Sequence, residues 1–321
     1  MTVPTPQPPG HAGHAGHAGH AGHAGHADAD LLARVCDQVG CDSHALRWQF
    51  IGSAHGPCRV WRVSGPGPGI VVKQFRNDRA FHQERHAYAR WLPHLSAETA
   101  PLLGAFAAPV RALVLGVVPG RPLAGTIATV ASERAAHERA GRFLRALHGL
   151  PEPDRDPLPL ADAISQRHAA WLARVRPTVD AATHARLAAF TALADDPRLF
   201  AGALRVPCHR DFTPGNWLVS GTNTDDRLTT LDGFFIIDFE HAHLDTPLLD
   251  MVKLWTEVWG ERPDLEAAFF TGYGRTLDPQ EQRQLGVLAA MHAMATVAWA
   301  DEHADLQFAA AGRQALRRVL G

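Results

Sequence analysis

Lysine is nearly absent from this chain. Lysine and arginine together number 31, yet only Lys73 and Lys253 are lysines. Alanine, arginine, glycine and proline are abundant, as in a protein encoded by GC-rich DNA. Because the composition disfavours lysine, each of the two retained lysines is a candidate for a specific chemical role.

Other absences exclude whole classes of protein. The formal net charge is −2, so the strongly basic face of a nucleic-acid-binding protein is not expected. No apolar run reaches bilayer length, and the Pro-rich residues 1–10 do not resemble a signal peptide, so we expect a cytoplasmic protein without a membrane partner. The four cysteines form no C-x-x-C pair. We therefore expect reduced thiols, with Cys36 and Cys41 buried in and just after a first helix.

The N-terminal residues 1–28 are of low complexity. From His11 to His26 the unit His-Ala-Gly repeats and places a histidine at every third position. Such a segment has little to bury, and we predict a disordered tail. The histidines would suit binding of Ni²⁺ or Zn²⁺. The favoured interpretation is a repeat with no role beyond solubility, and a purification tag is a further alternative.

Strand patterns are concentrated in the first third of the chain. Glycine and proline separate short apolar runs between residues 48 and 75, as antiparallel strands require. A helix at 78–92 with Asp78 as its N-cap is predicted next, followed by one β segment at 105–118.

Helical patterns dominate the rest, with a β-rich stretch at 216–239. The predicted helices cover 131–149, 161–175, 180–194, 247–258, 263–273 and, with breaks, 279–319. The sequence therefore predicts an α+β fold with a β-rich N-lobe at 29–117 and a helical C-lobe at 118–321.

The strongest motif is His-Arg-Asp-Phe-Thr-Pro-Gly-Asn at 209–216, followed by an apolar hairpin that ends in Ile-Asp-Phe-Glu at 237–240. Asp211 and Asn216 lie five residues apart on the loop that enters the hairpin, and Asp238 closes it. We predict that the three side chains converge. Phosphoryl transfer needs such a set: one carboxylate accepts the proton of the attacking hydroxyl, and two oxygen donors bind Mg²⁺. The alternative is a chance Asp/Asn-rich hairpin.

At these residues the sequence resembles the aminoglycoside phosphotransferase family, whose members are small-molecule kinases of the two-lobed protein-kinase-like fold. The resemblance implies Asp211 as catalytic base and Asn216 and Asp238 as Mg²⁺ ligands, with ATP or GTP as the phosphoryl donor. It also implies a structural role for His209 and a bracing role for Asp250 beneath the catalytic loop.

The resemblance extends to the nucleotide side. Lys73, in Val-Val-Lys, would form ion pairs with the phosphates of the nucleotide. Glu84 on the following helix would hold Lys73 in place. The turn that begins Gly52-Ser53 occupies the place of the nucleotide-covering loop. Main-chain groups from Leu115 to Val117 would bind the nucleobase. The alternative for Lys73 and Glu84 is an exposed lysine on an edge strand and a solvated glutamate.

The acceptor is expected to be small. Only eleven residues separate Asp238 from Asp250, which leaves no room for the peptide-docking segment of a protein kinase. The segment from 201 to 271 contains twelve acidic residues and five basic ones. This excess of acidic residues favours a cationic acceptor. The candidate acceptor residues are Glu240, Trp255, Glu257, Trp259 and Glu261.

Alternatives for the function stay open. The acceptor would be an aminoglycoside-like or other cationic antibiotic, or else choline, a sugar, homoserine or a macrolide. A protein of another class, a non-catalytic regulator that binds nucleotide or metal, would carry the same fold. Retention of the full set of motif residues argues against that regulator.

Overall fold

The structure is a computed structural model that describes residues 29–40, 42–52 and 58–321. The tail at 1–28, Cys41 and Ser53 lie outside these residues. Nine α-helices are assigned in the described part of the chain. They are α1 Ala29–Val39, α2 Asp78–Arg90, α3 Val130–His148, α4 Leu160–Val175, α5 Ala181–Ala194, α6 Leu249–Leu254, α7 Pro263–Tyr273, α8 Pro279–Glu302 and α9 Leu306–Leu320.

Short strands complete the architecture. They are β1 Arg47–Phe50, β2 Cys58–Ser64, β3 Ile70–Phe75, β4 Leu102–Phe106, β5 Ala112–Gly116, β6 Arg121–Pro122, β7 Val206–Cys208, β8 Trp217–Ser220, β9 Asn223–Thr224, β10 Arg227–Leu228, β11 Gly233–Ile236 and β12 His243–Asp245. The first five form an antiparallel sheet in the order β1-β2-β3-β5-β4. The others form the small sheets β11-β8-β6, β10-β9 and β12-β7. The predicted α+β class is confirmed.

Two compact units divide the chain. One contains the described residues up to Ala136 together with Pro214–Ala242, and we call it the sheet unit. The other contains His137–Thr213 and His243–Gly321, and we call it the helical unit. The lobe boundaries at 117 and 118 stay a prediction. No helix among the described residues is long and apolar enough to cross a membrane.

The sheet unit has its core between α1 and one face of the five-stranded sheet. Leu31 and Val35 of α1 are fully buried against Trp61, Val72 and Val114. Apolar residues at positions four apart lie on one side of a helix, which is why α1 can cover the sheet.

The helical unit is built around α8. This helix is buried on nearly every side, from Leu285 to Ala300, as expected for a helix enclosed by others. Helix α7 approaches α3 closely enough that a Cβ added at Gly272 would lie 1.9 Å from the carbonyl oxygen of Glu138. Glycine is therefore required where these two helices cross.

Three local predictions were wrong. The β segment predicted at 105–118 is two strands, β4 and β5, because the chain reverses at Pro109 and the strands pair with each other. The N-cap of α2 is Asn77, whose side chain accepts a hydrogen bond from the Ala80 amide, while Asp78 is the first helical residue. Cys36 is half-buried rather than buried.

Candidate functional site

Lys73 is the centre of a buried ion-pair cluster in the sheet unit. It lies on β3, the central strand of the five-stranded sheet, and is 5% exposed. Its Nζ lies 2.6 Å from Glu84 Oε2, 2.5 Å from Asp238 Oδ1 and 3.3 Å from Glu240 Oε2. The burial rules out the alternative of an exposed lysine on an edge strand. We call Lys73, Glu84, Asp238 and Glu240 the Lys73 cluster.

Helix α2 delivers Glu84 to this cluster. Phe81, Glu84 and Tyr88 are all buried on one face of the helix, as their spacing of three and four residues predicts. Phe81 packs edge-to-face against Phe75 of β3, with ring centroids 5.8 Å apart. The aromatic contact fixes the helix beside the strand, so that Glu84 meets Lys73.

Burial and the charges within the Lys73 cluster shift the pKa values of its side chains. Burial alone would lower the pKa of Lys73, but the carboxylates of Asp238, Glu84 and Glu240 hold it well above its usual value. Burial raises the pKa of Glu84 to about 7, against the opposing effect of Lys73. Burial likewise raises the pKa of Glu240. Three carboxylates around one ammonium group carry excess negative charge when all are ionised, and a bound cation would relieve it.

Asn216 and Asp238 stand at one end of the β8–β11 hairpin. Asn216 directly precedes β8 and is buried, and its carbonyl oxygen accepts a hydrogen bond of 3.1 Å from the Ile237 amide. Asp238 has a φ of 71°, a conformation that is costly for an aspartate. The neighbouring Phe239 is fully buried and packs against Tyr88. This packing provides a means of holding the strained residue in place.

In the helical unit, Asp250 of α6 braces the loop that carries Asp211. Its carboxylate accepts hydrogen bonds from the backbone amides of His209, at 2.9 Å, and Arg210. His148 Nε2 lies 3.0 Å from the same carboxylate, and the Tyr273 hydroxyl lies 3.0 Å from His148 Nδ1. Three helices, α3, α6 and α7, therefore contribute to holding the loop that carries Asp211.

His209 stabilises the loop from within. Its Nδ1 accepts a hydrogen bond from the Asp211 amide at 3.2 Å, and its ring packs edge-to-face against Phe212. Arg210, between them, has a φ of 65°. A strained backbone persists only where the surroundings hold it, and here Asp250 and the His209 ring do so.

A second ion pair was missed by sequence reasoning. Lys253 Nζ contacts Asp211 Oδ1 directly, and the two residues are 6% and 1% exposed. The only sequence signal for this pair was the scarcity of lysine. Both lysines of the chain thus lie in buried contacts with motif carboxylates.

A third cluster was also missed, and it ties α4 to the loop that carries Asp211. Arg167 donates two hydrogen bonds to Asp245, at 2.7 and 3.1 Å, and Arg210 Nε lies 3.7 Å from the same carboxylate. Burial would raise the pKa of Asp245, but Arg167 and Arg210 lower it to about 2. Burial lowers the pKa of Arg210, yet a guanidinium group stays charged at neutral pH.

Leu115 and Val117, predicted to contact the nucleobase, and Gly52, predicted to begin the covering loop, lie in the sheet unit. Leu115 is in β5, paired with Val71, and the Val117 amide lies 3.4 Å from the Gly69 carbonyl oxygen. A Cβ added at Gly52 would lie 3.1 Å from the backbone nitrogen of Val60, so the turn begins in close contact with β2.

The predicted acceptor residues do not form one group. Glu240 belongs to the Lys73 cluster. Trp259 is 2% exposed and packs on Phe269 and Phe270, with ring centroids 5.0 and 5.4 Å apart, so its ring is part of the core. Glu257 and Glu261 are exposed.

Helical geometry separates the remaining pair. Glu257 follows Lys253 by four residues in continuous helical backbone and shares its face, whereas Trp255 follows by two and points away. Trp255 lines a separate cavity of about 880 Å³ between α7 and α8, together with Glu266 and Arg275. Of the predicted acceptor set, Glu257 is therefore the exposed residue that follows the Lys253 side of the helix.

The fold is that of the protein-kinase-like phosphotransferases. One similar structure, of APH(2")-IIIa with GDP and kanamycin, is 16% identical, with a TM-score of 0.67, and the match covers 90% of this chain and 98% of that one. A macrolide 2'-phosphotransferase from Brachybacterium faecium is 19% identical, with a TM-score of 0.59 and coverage of 89% and 98%. An ethanolamine kinase from Plasmodium vivax is 13% identical, with a TM-score of 0.63 and coverage of 90% and 86%. At these identities the likeness concerns the fold.

Residues 48–288 match a family model described as the phosphotransferase enzyme family, APH. The match spans more than half of the chain, so the chain belongs to this family. It is a phosphotransferase with an alcohol group as acceptor, and the predicted family resemblance is confirmed. No curated protein sequence matches the chain significantly.

Proposed function

We propose that the protein transfers the γ-phosphoryl group of ATP or GTP to a hydroxyl group of a cationic small molecule. The observation that carries this proposal is the Lys73 cluster, in which a buried lysine is held at 2.6 Å by Glu84 and at 2.5 Å by Asp238. An ammonium group fixed in this way suits the phosphates of a nucleotide. The main chain at Leu115 and Val117 is the proposed nucleobase contact.

Asn216 and Asp238 are the proposed ligands of Mg²⁺. Both offer oxygen donors, which Mg²⁺ prefers, and they lie at the same end of one hairpin. The surplus of carboxylates in the Lys73 cluster favours a divalent cation nearby. Mg²⁺, when bound, would neutralise charge on the phosphates.

Asp211 is the proposed general base. The acceptor hydroxyl gives its proton to the Asp211 carboxylate as its oxygen forms a bond to the γ-phosphorus. The bond from the γ-phosphorus to the bridging oxygen breaks, and the nucleoside diphosphate leaves. Asp250 and His209 hold the loop, so the carboxylate is oriented before the acceptor arrives.

An aminoglycoside-like or other cationic antibiotic is the proposed acceptor, and its phosphorylation would confer resistance. Glu257 supports this choice, because it is exposed on the helix face of Lys253, which contacts Asp211. Carboxylates attract amines. Solved structures of similar fold hold kanamycin with GDP and streptomycin with ATP.

The test is release of ADP or GDP by the full chain with Mg²⁺ across a panel of aminoglycosides, other cationic antibiotics, macrolides, choline, ethanolamine, homoserine and sugars. We expect acceptor-dependent release with an aminoglycoside. Asp211→Asn should lower kcat by about 10²- to 10⁴-fold while nucleotide affinity is retained. Lys73→Met should lower kcat and impair nucleotide positioning.

A matched control is Arg174→Met, which removes a partly exposed ion pair with Glu302 and should leave turnover unchanged. Release with ethanolamine or a macrolide alone would replace the proposed acceptor and keep the reaction. Nucleotide binding with no acceptor-dependent release for any compound would favour the regulatory alternative.

A further inference from the structure

Lys253 is the buried cation that the proposed mechanism does not use. Its ammonium group contacts Asp211 Oδ1, and both side chains are almost fully enclosed. Removing an ammonium group and a carboxylate from water costs several kcal/mol per ion. Such a pair is weak evidence of stabilisation, and its position on the proposed catalytic base suggests a functional reason for it.

Helix α6 contacts the catalytic loop at two points. Asp250 holds the backbone amides of His209 and Arg210, and Lys253, three residues later, holds the side chain of Asp211. Residues three apart lie on the same face of a helix. One turn of α6 therefore fixes both the path of the loop and the orientation of its carboxylate.

The choice of lysine over arginine also has a physical reason. All basic residues except Lys73 and Lys253 are arginine. Arginine grips a carboxylate through a planar fork that can engage both oxygens, whereas an ammonium group is a point charge that contacts one. An ionised carboxylate has about four lone-pair positions. A lysine on Oδ1 therefore occupies fewer of these positions than a bidentate arginine would.

We propose that Lys253 is a positioning residue that holds the Asp211 carboxylate oriented toward the acceptor hydroxyl. The inference rests on the proposed role of Asp211 as general base. During transfer, the hydroxyl proton moves to Asp211, the acceptor oxygen bonds to the γ-phosphorus, and the nucleoside diphosphate departs. Lys253 takes no part in the proton transfer and contributes the geometry of the contact.

Steady-state kinetics of Lys253→Met, with acceptor and nucleotide varied in turn, tests the proposal. Methionine preserves most of the volume and removes the charge. We expect kcat to fall about 10- to 100-fold, as for a displaced catalytic group. The KM for nucleotide should stay within about two-fold of the wild-type value. Arg174→Met should again leave both parameters unchanged.

A double-mutant cycle separates positioning from structural support. If Lys253 acts through Asp211, adding Lys253→Met to Asp211→Asn should cost no further activity, because the group it positions is already lost. A purely structural role would lower kcat by the same factor in both backgrounds, and that result would overturn the proposal. Wild-type kcat in Lys253→Met would overturn it as well.

Circular dichroism and nucleotide affinity are measured to check that the variant is folded. If Lys253→Met does not fold, Lys253→Ala is assayed with added ethylammonium, with tetramethylammonium as the ionic control. Recovery of kcat with ethylammonium alone would support the proposal, and no recovery would overturn it. Failure of the proposed function would give a different result, namely wild-type activity in Asp211→Asn or no phosphoryl transfer by the wild type. The inference about Lys253 would then be overturned together with the proposed function.

Discussion

Replacing Asp245 with asparagine should destabilise the protein by removing the anion that the partly buried Arg167 and Arg210 share. The side chain keeps its shape and one carbonyl oxygen, so the change isolates the charge. The carboxyl pKa falls from 3.8 to about 2 in the folded protein. At about 1.4 kcal/mol per pKa unit, this shift corresponds to about 2 kcal/mol of stability at neutral pH.

The loss should exceed that value, because Arg167 and Arg210 are left without their shared partner. Breaking a buried ion pair typically costs about 3 to 5 kcal/mol. The retained carbonyl oxygen of asparagine offsets part of this, so we expect about 2 to 4 kcal/mol. The assay is urea unfolding followed by circular dichroism at pH 7, analysed from the midpoint and slope.

The pH dependence supplies an independent check. The unfolded Asp245 carboxyl takes up its proton near pH 3.8, whereas the folded one does so only near pH 2. Its contribution is therefore complete above about pH 5 and is lost as pH falls through 2. The stability difference between wild type and variant should shrink over that window.

Asp196→Asn is the matched control, since Asp196 pairs with the exposed Arg198. Exposed pairs contribute little, and no measurable change is expected there. Equal stability of Asp245→Asn and wild type at pH 7, or a difference that persists unchanged at pH 2, would refute the electrostatic account.

Three further predictions concern stability, each read by thermal or urea unfolding. Burial lowers the pKa of His168 to about 4, so as pH falls the unfolded chain takes up a proton at this histidine before the folded protein does. The stability of the wild type should therefore fall by up to about 3 kcal/mol as pH drops from 6.5 to 4. An equal dependence of stability on pH in His168→Gln would contradict this. Gly272→Ala should lower the free energy of unfolding by about 1 to 3 kcal/mol, because the added methyl group would clash with Glu138. Gly286→Ala, where α8 has open space, should raise the free energy of unfolding by up to about 1 kcal/mol. Equal effects of the two substitutions would refute the steric argument. Asp278→Ala removes the capping box of α8 and should cost about 1 kcal/mol, and an unchanged midpoint would contradict the prediction.

The predicted contact between Lys73 and Glu84 came from the family resemblance, which implies a lysine on this strand fixed by a carboxylate on the following helix. Local rules of periodicity added that Glu84 lies on the inward face of that helix. The same rules failed at 105–118, because a continuous apolar stretch does not show where the chain reverses. They also failed at Trp259, where an aromatic residue between acids suggested a ligand site and burial among Phe269 and Phe270 made it core.

The α+β class, the order of the elements and the motif residues were predictable from the chain alone, because hydrophobic periodicity and motif spacing are local properties. The rarity of lysine also singled out Lys73 and Lys253. The contact of Lys253 with Asp211 and the place of Asp245 between Arg167 and Arg210 became apparent only in the folded protein. These contacts join residues 35 to 78 positions apart, and such pairings depend on how helices pack, which no local pattern records.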